Sequence, residues 1–551
     1  MGDAPTRVIF LGGLGEVGRN MFAVEHDDSI VVVDAGLSFP SDEMLGIDLV
    51  LPDFTYLAER ADKVLGVVLT HGHEDHVGAL SWFLKDVPVP VYGTPLTLGL
   101  ARRRLDEFAV DADMREVSAP GELELGPFRC RFIAVSHSIP DAMSVAIDTT
   151  EGRILYTGDF KLDERPIDGR LTDLDTFRRL GAEGVDLLLA DSTNALEPGH
   201  TGSEAVVGDK LKEIFASAER SIVVACFASN LHRVQQVCTA AEAVGRHVAF
   251  VGRSMVANAE VGRELGHLRI ARNTIVDVAD IEHLPPQKAV IICTGSQGEP
   301  LSALSLIAAG EHKVVRVERD DTVILSASPI PGNESAVHRV INGLYRAGAR
   351  VFHGEEDGVH VSGHAAADEL RTMLETVRPR HLIPVHGEFR MLTTHARIAE
   401  AAGVEGDSVF ICEDGDVVEL RDGRVRRGDK VRSGTILVDG LGVGDVGPVV
   451  LRDRRVLAGD GFVVCVVTID SRTGEILAGP DIISRGFVFE DEARGFLEEA
   501  EDRVEDALRN LEHEHVTDWQ AIKKAMRRAL GEYVWHETHR RPMIMPVVTE
   551  V

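Results

Sequence analysis

The six residues His71-Gly72-His73-Glu74-Asp75-His76 place three imidazoles and two carboxylates in one short stretch of chain. Histidines at i and i+2 on a tight loop can face one cation. Asp75 and His76, just beyond, can face a second. Neutral imidazole and carboxylate oxygen suit zinc or manganese, with ligand distances of about 2.0–2.2 Å. Three further candidates each stand just past an apolar stretch of strand length: His137 in SHSIPDA, Asp159 in TGDF and His386 in PVHGE. Any one alone reads as a satisfied polar residue. Together with the cluster they complete two coordination shells, with one carboxylate free to bridge, which is the chemistry of a two-metal hydrolase. Asp34, closing VVDAG, is placed to orient a ligand imidazole from behind.

Other motifs carry less. Residues 13–18, GLGEVG, match a dinucleotide fingerprint after a strand, but a hairpin follows where the motif needs a helix. They read as turn glycines beside the metal loop. His360 and His364, in HVSGH, have a spacing that could bind metal. With both shells filled, phosphate binding or proton donation suits them better. His513, His515, His536 and His539 have no ligand partners in sequence, and Arg102-Arg103-Arg104 reads as a solvated helical face.

The elements that must hold these residues are legible in outline. Strands are expected at 7–11, 21–25, 30–34 and 64–70, the middle two joined by a hairpin at Asp27-Asp28. A helix should begin after Pro95, followed by strands near 128–135, 144–148 and 153–157. Between 202 and 362, apolar strands at 222–227, 248–252, 289–293, 322–326 and 350–353 alternate with helical segments, which indicates a parallel sheet. Residues 380–385 then resume a strand ending at His386. A site residue on either side of the α/β unit implies that the unit is inserted into the first domain.

At 551 residues the chain is too long for one core. Six scattered cysteines without a C-x-x-C pair suit reduced thiols in a cytoplasmic protein. Neither a signal peptide nor a membrane span is expected. The net charge of −31 argues against a broad basic face for nucleic acid, but not against a local groove. Much of the acid lies at 490–514, with eleven Asp or Glu against three Arg, spaced as a solvated helical face.

The motifs together resemble the metallo-β-lactamase superfamily and, within it, the β-CASP nucleases of the bacterial ribonuclease J family. DSTN at 191–194, SGHA at 362–365 and PVHGE at 384–388 carry the β-CASP likeness. LGGLGEVG, FPSDEMLGID, FASNLHR, CTGSQGEP, SASPIPGN, GPDIISRGF and the ending RRPMIMPVVTEV extend it over the whole chain. The resemblance implies an α/β architecture. A metallo-β-lactamase αββα sandwich (1–203 and 366–445) would carry an inserted α/β β-CASP domain (204–365). A linker (446–460) and a small α+β C-terminal domain (461–551) would follow.

The resemblance also implies roles. One Zn2+ would take His71, His73 and His137, the other Asp75, His76 and His386, with Asp159 between them; Mn2+ or Mg2+ could also support activity. Asp75, Asp191 and His364 are the catalytic candidates, His364 contacting the scissile phosphate or protonating the leaving oxygen. Ser229, Asn230, Leu231, His360, Val361, Ser362, Gly363 and His364 would hold RNA phosphates, a 5′-monophosphate included. A structural Ca2+ would take Leu45 and Ile47 through their carbonyls together with Asp439. Single-stranded RNA is the implied partner, with 5′-to-3′ exonuclease and endonuclease action in mRNA decay and rRNA maturation. A homodimer or homotetramer, and partners in an RNA-degradation complex, are implied as well. Competing readings are a small-molecule hydrolase of the same superfamily, a DNA nuclease and a non-catalytic RNA-binding scaffold.

Overall fold

The computed structural model describes residues 4–41, 43–473, 475–488, 494–513 and 518–551, in two compact units. The first unit holds residues 1–39 and 49–436, the second 40–48 and 437–551.

Two mixed sheets face each other in the first unit. The eight-stranded sheet runs Arg424–Arg427, Val417–Arg421, Thr6–Gly12, Met21–His26, Ser29–Val33, Val64–Val68, Val91–Gly93 and Met114–Glu116. The six-stranded sheet runs His381–Val385, Leu187–Asp191, Gly152–Tyr156, Met143–Thr149, Phe128–Ala134 and Gly121–Leu125. Alternate side chains of both sheets meet in one buried core, including Phe10, Val31, Phe132, Val145, Leu189 and Ile383. Phe22 and Tyr156 pack edge to face between the sheets, their ring centroids 5.0 Å apart. The outer face of the six-stranded sheet is covered by the helices Leu174–Glu183, Ala367–Val377 and Phe389–Ala401 through Phe177, Leu374 and Ile398. The hairpin at Asp27-Asp28 forms with φ of 47° and 58°, the left-handed pair a two-residue turn requires and Asp tolerates.

The register of the parallel strands places the site. Val33 pairs with Val68, so Asp34 and the loop from Thr70 leave neighbouring strands side by side. Tyr156 pairs with Leu189 and Asp191 with Val385, which brings Asp159, Asp191 and His386 to one edge of the other sheet. The ligands thus collect beyond the carboxyl ends of parallel strands, where loops are free of the ladder.

Between Asp191 and His386 the chain builds a five-stranded parallel sheet. Its order is His247–Val251, Ala289–Cys293, Ile222–Ala225, Thr322–Leu325 and Arg350–His353. Apolar clusters cover both of its faces, as a fully parallel sheet demands.

In the second unit, Phe462–Ile469 lies between antiparallel Ile476–Arg485 and parallel Met543–Glu550. The helices Arg494–His513 and Trp519–Thr538 cover one face through Val504, Leu508, Met526 and Leu530. The stretch expected as a linker, 446–460, contains the helix Pro448–Asp460; proline at its first turn and thirteen residues free of internal proline favour it. The acidic segment is helical and largely solvated over Arg494–His513, while residues 490–493 and 514, with His515, lie outside the described residues. His513 and His536 are exposed, and His539 adopts φ 53° to end the helix Trp519–Thr538. Of the three arginines at 102–104 only Arg102 is exposed. Arg103 reaches Asn258 and Arg104 reaches Glu107, so that run is mostly engaged rather than solvated. All six cysteines are buried and unpaired. Among the described residues, no helix is long and apolar enough to cross a membrane.

His395, on Phe389–Ala401, is 1% exposed, with Nδ1 2.9 Å from Ser192 Oγ and no partner for Nε2. Burial pushes its pKa down to about 4, against a smaller opposing pull from Asp191. A histidine lowered on folding stabilises fully above its unfolded value, and that stability is lost as pH falls towards 4. The shift is worth about 3 kcal/mol. His395→Gln should therefore flatten the fall in melting temperature between roughly pH 6.5 and 4. Parallel pH profiles for variant and wild type would count against this.

Candidate metal centre

Strand ends and local turns aim the ligands. Val64–Val68 leads into Thr70 and His71, and His73, in extended backbone, stands just before the short helix Glu74–Val77, which carries Asp75 and His76. Asp34 and His386 both take left-handed backbone, φ 58° and 55°, which redirects each side chain as its strand ends. The glycine loop supports this. Gly13 O accepts from His386 N at 2.9 Å, and Leu14 and Glu16 bridge to Gly387. A Cβ on Gly13, φ +89°, would lie 2.5 Å from the Asn20 carboxamide oxygen. Residues 13–18 are turn glycines against the site, and no helix opens after them.

Seven of the expected ligands converge in two overlapping groups, and Asp159 and His386 also meet Asp191 and His364 in a third. His71, His73, His137 and Asp159 form one; Asp75, His76, His386 and Asp159 form the other. In the first, His73 Nδ1 lies 3.0 Å from His71 Nε2 and 3.1 Å from His137 Nε2. Asp159 Oδ2 stands 3.6 Å from His71 Nε2, 3.7 Å from His137 Nε2 and 3.2 Å from His76 Nε2, between the groups. In the second, Asp75 Oδ2 is 3.6 Å from His76 Nε2 and 3.3 Å from His386 Nε2. Tetrahedral ligands about 2.0–2.1 Å from a zinc-sized ion sit about 3.3 Å apart, so the spacing fits divalent metal. His386 Nε2 is buried without a hydrogen bond, a donor atom left for a cation.

Each ring is held by its other nitrogen. His76 Nδ1–H donates to Asp34 Oδ2 at 2.8 Å, and Asp34 also accepts from Thr70 N and Oγ1. His137 Nδ1–H donates to Gly363 O at 2.7 Å, so a carbonyl of the inserted segment fixes a ligand of the first group. His386 Nδ1–H donates to Asp159 Oδ1 at 3.0 Å. Burial lowers His71 and His137 well below their ordinary value and His73 to about 4, keeping all three as neutral donors. Burial opposes charge on His76 and His386 too, but the surrounding carboxylates together outweigh it, Asp159, Asp75 and Asp34 raising His76 well above its ordinary value and Asp159, Asp75 and Asp191 raising His386 to about 10. Without metal, the second group holds protons that a metal would displace.

His364 Nδ1–H donates to Asp191 Oδ2 at 2.8 Å and lies 4.0 Å from Asp159 Oδ2. His360 is buried, with Nδ1 unpartnered, and burial then Arg233 push it down to about 3. Asn230 spends its side chain accepting from Arg233 N at the start of Leu231–Ala243, and the Leu231 side chain is buried. Ser229 is half-buried, as are Val361 and Ser362, while Gly363 is buried. The helix carrying Asn230 is tied to this loop by the buried Arg233, which donates to Val359 O at 2.8 Å and pairs with Glu204 at 2.6 Å.

Several residues without a spacing signal emerge only in three dimensions. Asn20 Nδ2 lies 3.0 Å from His76 Nε2. Lys161, fully buried, donates to Gly202 O and Ser362 O, both at 3.2 Å, binding the loop of His364 to the strand end of Asp159. Glu369 accepts from Leu162, Thr201 and Ala366 amides.

Two of the residues expected at calcium, Leu45 and Asp439, contact Arg454. In the second unit, Arg454 Nη1 donates to Leu45 O at 2.9 Å and its Nη2 pairs with Asp439 Oδ2. A guanidinium already stands on two of the three expected donors; Ile47 is buried beside them.

Two facing mixed sheets with ligands at their strand ends, interrupted by a parallel α/β insertion, define a metallo-β-lactamase fold carrying a β-CASP domain. Family comparison agrees segment by segment. The Metallo-beta-lactamase superfamily matches residues 14–219, the Ribonuclease J beta-CASP domain 219–344, the Zn-dependent metallo-hydrolase RNA specificity domain 351–411 and the Ribonuclease J C-terminal domain 449–551. The chain is 45% identical to Ribonuclease J of Mycobacterium tuberculosis over 99% of its own length and 97% of that protein's. It is 42% identical to Ribonuclease J2 of Bacillus subtilis over 99% and 98%, and 41% identical to Ribonuclease J 1 of Streptococcus pyogenes over 98% and 97%. A solved structure from Enterococcus faecalis, titled as a protein of unknown function, shares the fold at TM-score 0.54. It is 16% identical and covers 76% of this chain and 100% of its own. The chain belongs to the ribonuclease J family.

Asp34→Asn should keep the fold but misorient His76, lowering zinc affinity about 10–100-fold in competition with a chromogenic chelator. An unchanged affinity would show that Asp34 does not orient the ligand.

Proposed function

We propose that this chain is a zinc-dependent ribonuclease that removes nucleotides 5′ to 3′ from RNA with a 5′-monophosphate end and also cleaves internally, serving mRNA decay and rRNA maturation in the cytoplasm. The observation that carries the reading is the junction at 362–364. Gly363 O holds the ligand His137 while the adjacent His364, anchored by Asp191, stands beside Asp159. The inserted domain and the metal centre are therefore one site. The match to an RNA specificity domain over 351–411 supports RNA over DNA or a small molecule as substrate.

When bound, two divalent ions supply a nucleophile at neutral pH and offset the charge gathering on the phosphate. The protein's own part is positioning and proton transfer. Burial disfavours charge on His364, but Asp191 and Asp159 together outweigh it and raise its pKa above the ordinary histidine value. With Nδ1–H held by Asp191, Nε2–H is left to protonate the departing 3′ oxygen, a role worth about 10²–10⁴ in rate. His360, kept neutral, contributes a hydrogen bond to a phosphate rather than a charge. The Ser229 hydroxyl and the start of Leu231–Ala243 supply the remaining contacts, since a helix N-terminus favours an anion.

The second unit offers support for a homodimer or homotetramer. One face of its three-stranded sheet is covered by helices, while on the strands Ile476–Arg485 and Met543–Glu550 Leu477, Ile483, Met545 and Val547 are exposed. Such a patch favours association. Removal of the chain after Asp460 should lower the mass seen by light scattering; an unaltered oligomer would refute that role.

Incubation with end-labelled RNA bearing monophosphate, triphosphate or hydroxyl 5′ ends tests the activity. Single nucleotides should be released fastest from the monophosphate, and equal rates on all three would remove the 5′-end reading. His364→Ala should lose about 10²–10⁴ in rate with its zinc content intact. His76→Ala should lose zinc and cleavage together. Zinc loss in His364→Ala would make His364 a ligand instead of the acid.

A further inference from the structure

The second unit contains a cleft that the metal centre does not use. It measures about 460 Å³ and lies between the last turns of the helix Trp519–Thr538 and the start of the strand Met543–Glu550. Its lining joins buried Val534 and Pro542 to exposed Trp535 and four exposed arginines, 527, 528, 540 and 541. Lys524, Arg528, Gly531 and Trp535 follow one another at steps of four, three and four, so they share one helical face. Gly531 is a poor helix former, but it keeps that face open: a Cβ there would already touch Ile544 Cδ1 at 3.5 Å. Between 518 and 541 there are six Lys or Arg against three Asp or Glu, in a chain of net charge −31. Arg528 pairs with Glu532 at 2.8 Å, Arg540 Nη1 donates to Phe487 O at 2.9 Å, and the Arg541 guanidinium carbon stands 4.5 Å from the centroid of the Trp535 ring. Among the described residues, the guanidinium groups of Arg527, Arg540 and Arg541 have no carboxylate partner. Only the backbone amide of Arg541 reaches one, Asp460 Oδ2 at 3.0 Å.

We propose that this cleft is a second binding site for single-stranded RNA, in which the arginines take backbone phosphates and Trp535 takes a base. Converging guanidinium groups without counter-charges repel one another, and a bound polyanion relieves that repulsion. Each planar fork matches two phosphate oxygens. Trp535 is 43% exposed, and stacking on an exposed indole tolerates any sequence because every base has a π-face. Arg540, held by Phe487 O, and Arg541, held on the indole, lose little freedom when they bind. The charge would also suit an acidic protein face, such as the helix Arg494–His513 of a second copy, with seven Asp or Glu against three Arg. Carboxylates would satisfy the arginines but leave the indole idle, whereas RNA uses both. The choice of RNA rests on the ribonuclease reading above; the cleft's demand for a polyanion stands without it.

The test is photocrosslinking of the full-length zinc-loaded protein to a single-stranded 2′-O-methyl oligonucleotide carrying 4-thiouridine, with its affinity titrated against salt in parallel. Crosslinked peptides should include residues 524–541. Trp535→Ala should weaken binding about 5–100-fold, and Trp535→Phe should restore most of it. Arg527→Ala combined with Arg541→Ala should flatten the slope of log affinity on log salt by about 1.4, the share of two phosphates. Cleavage of a short 5′-monophosphorylated RNA should stay at the wild-type rate in these variants. Crosslinks confined to residues 1–436 would overturn the proposal, as would a double variant with wild-type affinity and slope. A drop in mass by light scattering with RNA binding intact would give the cleft to the acidic helix of a second copy and overturn it too. Should the double variant fail to fold, Arg527→Ala alone, at an exposed helical position, should flatten the slope by about 0.7. Crosslinking at the cleft of a protein that cleaves no RNA would uphold this site and refute the nuclease activity, while cleavage without such a crosslink would do the reverse.

Discussion

Asp159 is a fully buried carboxylate with imidazole nitrogens of five histidines, 71, 76, 137, 364 and 386, within 3.0–4.0 Å. Burying such a charge is costly unless it is paired, and burying that many imidazoles side by side is costly unless their lone pairs meet something positive. Divalent cations resolve both demands together. Much of the first unit can be read as the framework that makes this arrangement tolerable. Parallel strand ends bring the residues together from two sheets. Left-handed turns at Asp34 and His386 aim them, and hydrogen bonds on the outer ring nitrogens stop them from turning away.

The insertion is part of that framework rather than an addition to it. Removal of the Gly363 carbonyl would free His137 to rotate, and removal of Lys161 would leave the Ser362 and Gly202 carbonyls without their shared donor. The loop therefore senses the metal centre through one hydrogen bond and the strand end of Asp159 through another. A Cβ at residue 363 would lie 2.7 Å from His137 Cε1, so the close approach itself requires glycine. The orientation of His137 and the placement of the loop carrying His364 are set by the same few residues. The Arg233–Glu204 pair extends this, locking the start of Leu231–Ala243 to the strand-to-loop passage at Val359.

What could be read in the sequence follows from these physics. The cluster 71–76 and the strand-end positions of His137, Asp159 and His386 were legible because metal ligands need particular side chains at short spacing or at strand ends. The five strands of the insertion were legible because a parallel sheet buried on both faces must be continuously apolar. Lys161, Asn20 and the Gly363 carbonyl were not, since each acts through a contact between segments far apart in sequence. The helix Pro448–Asp460 was hidden by the glycines before it, and Asn230's use as a helix cap is invisible until the helix start is placed.

The two units answer the same electrostatic question in opposite ways. Around Asp159 the protein supplies ligand atoms, and the neighbouring carboxylates raise the pKa of His76 and His386, so a proton or a bound metal would compete for the same nitrogen lone pairs. Around Asp439 it supplies the cation itself, on a side chain that cannot lose its proton. In a chain of net charge −31, each internal cation also relieves the surrounding acid. This is why the global charge says little about where RNA binds: the field that matters at the centre comes from ions and imidazolium groups that the composition does not count.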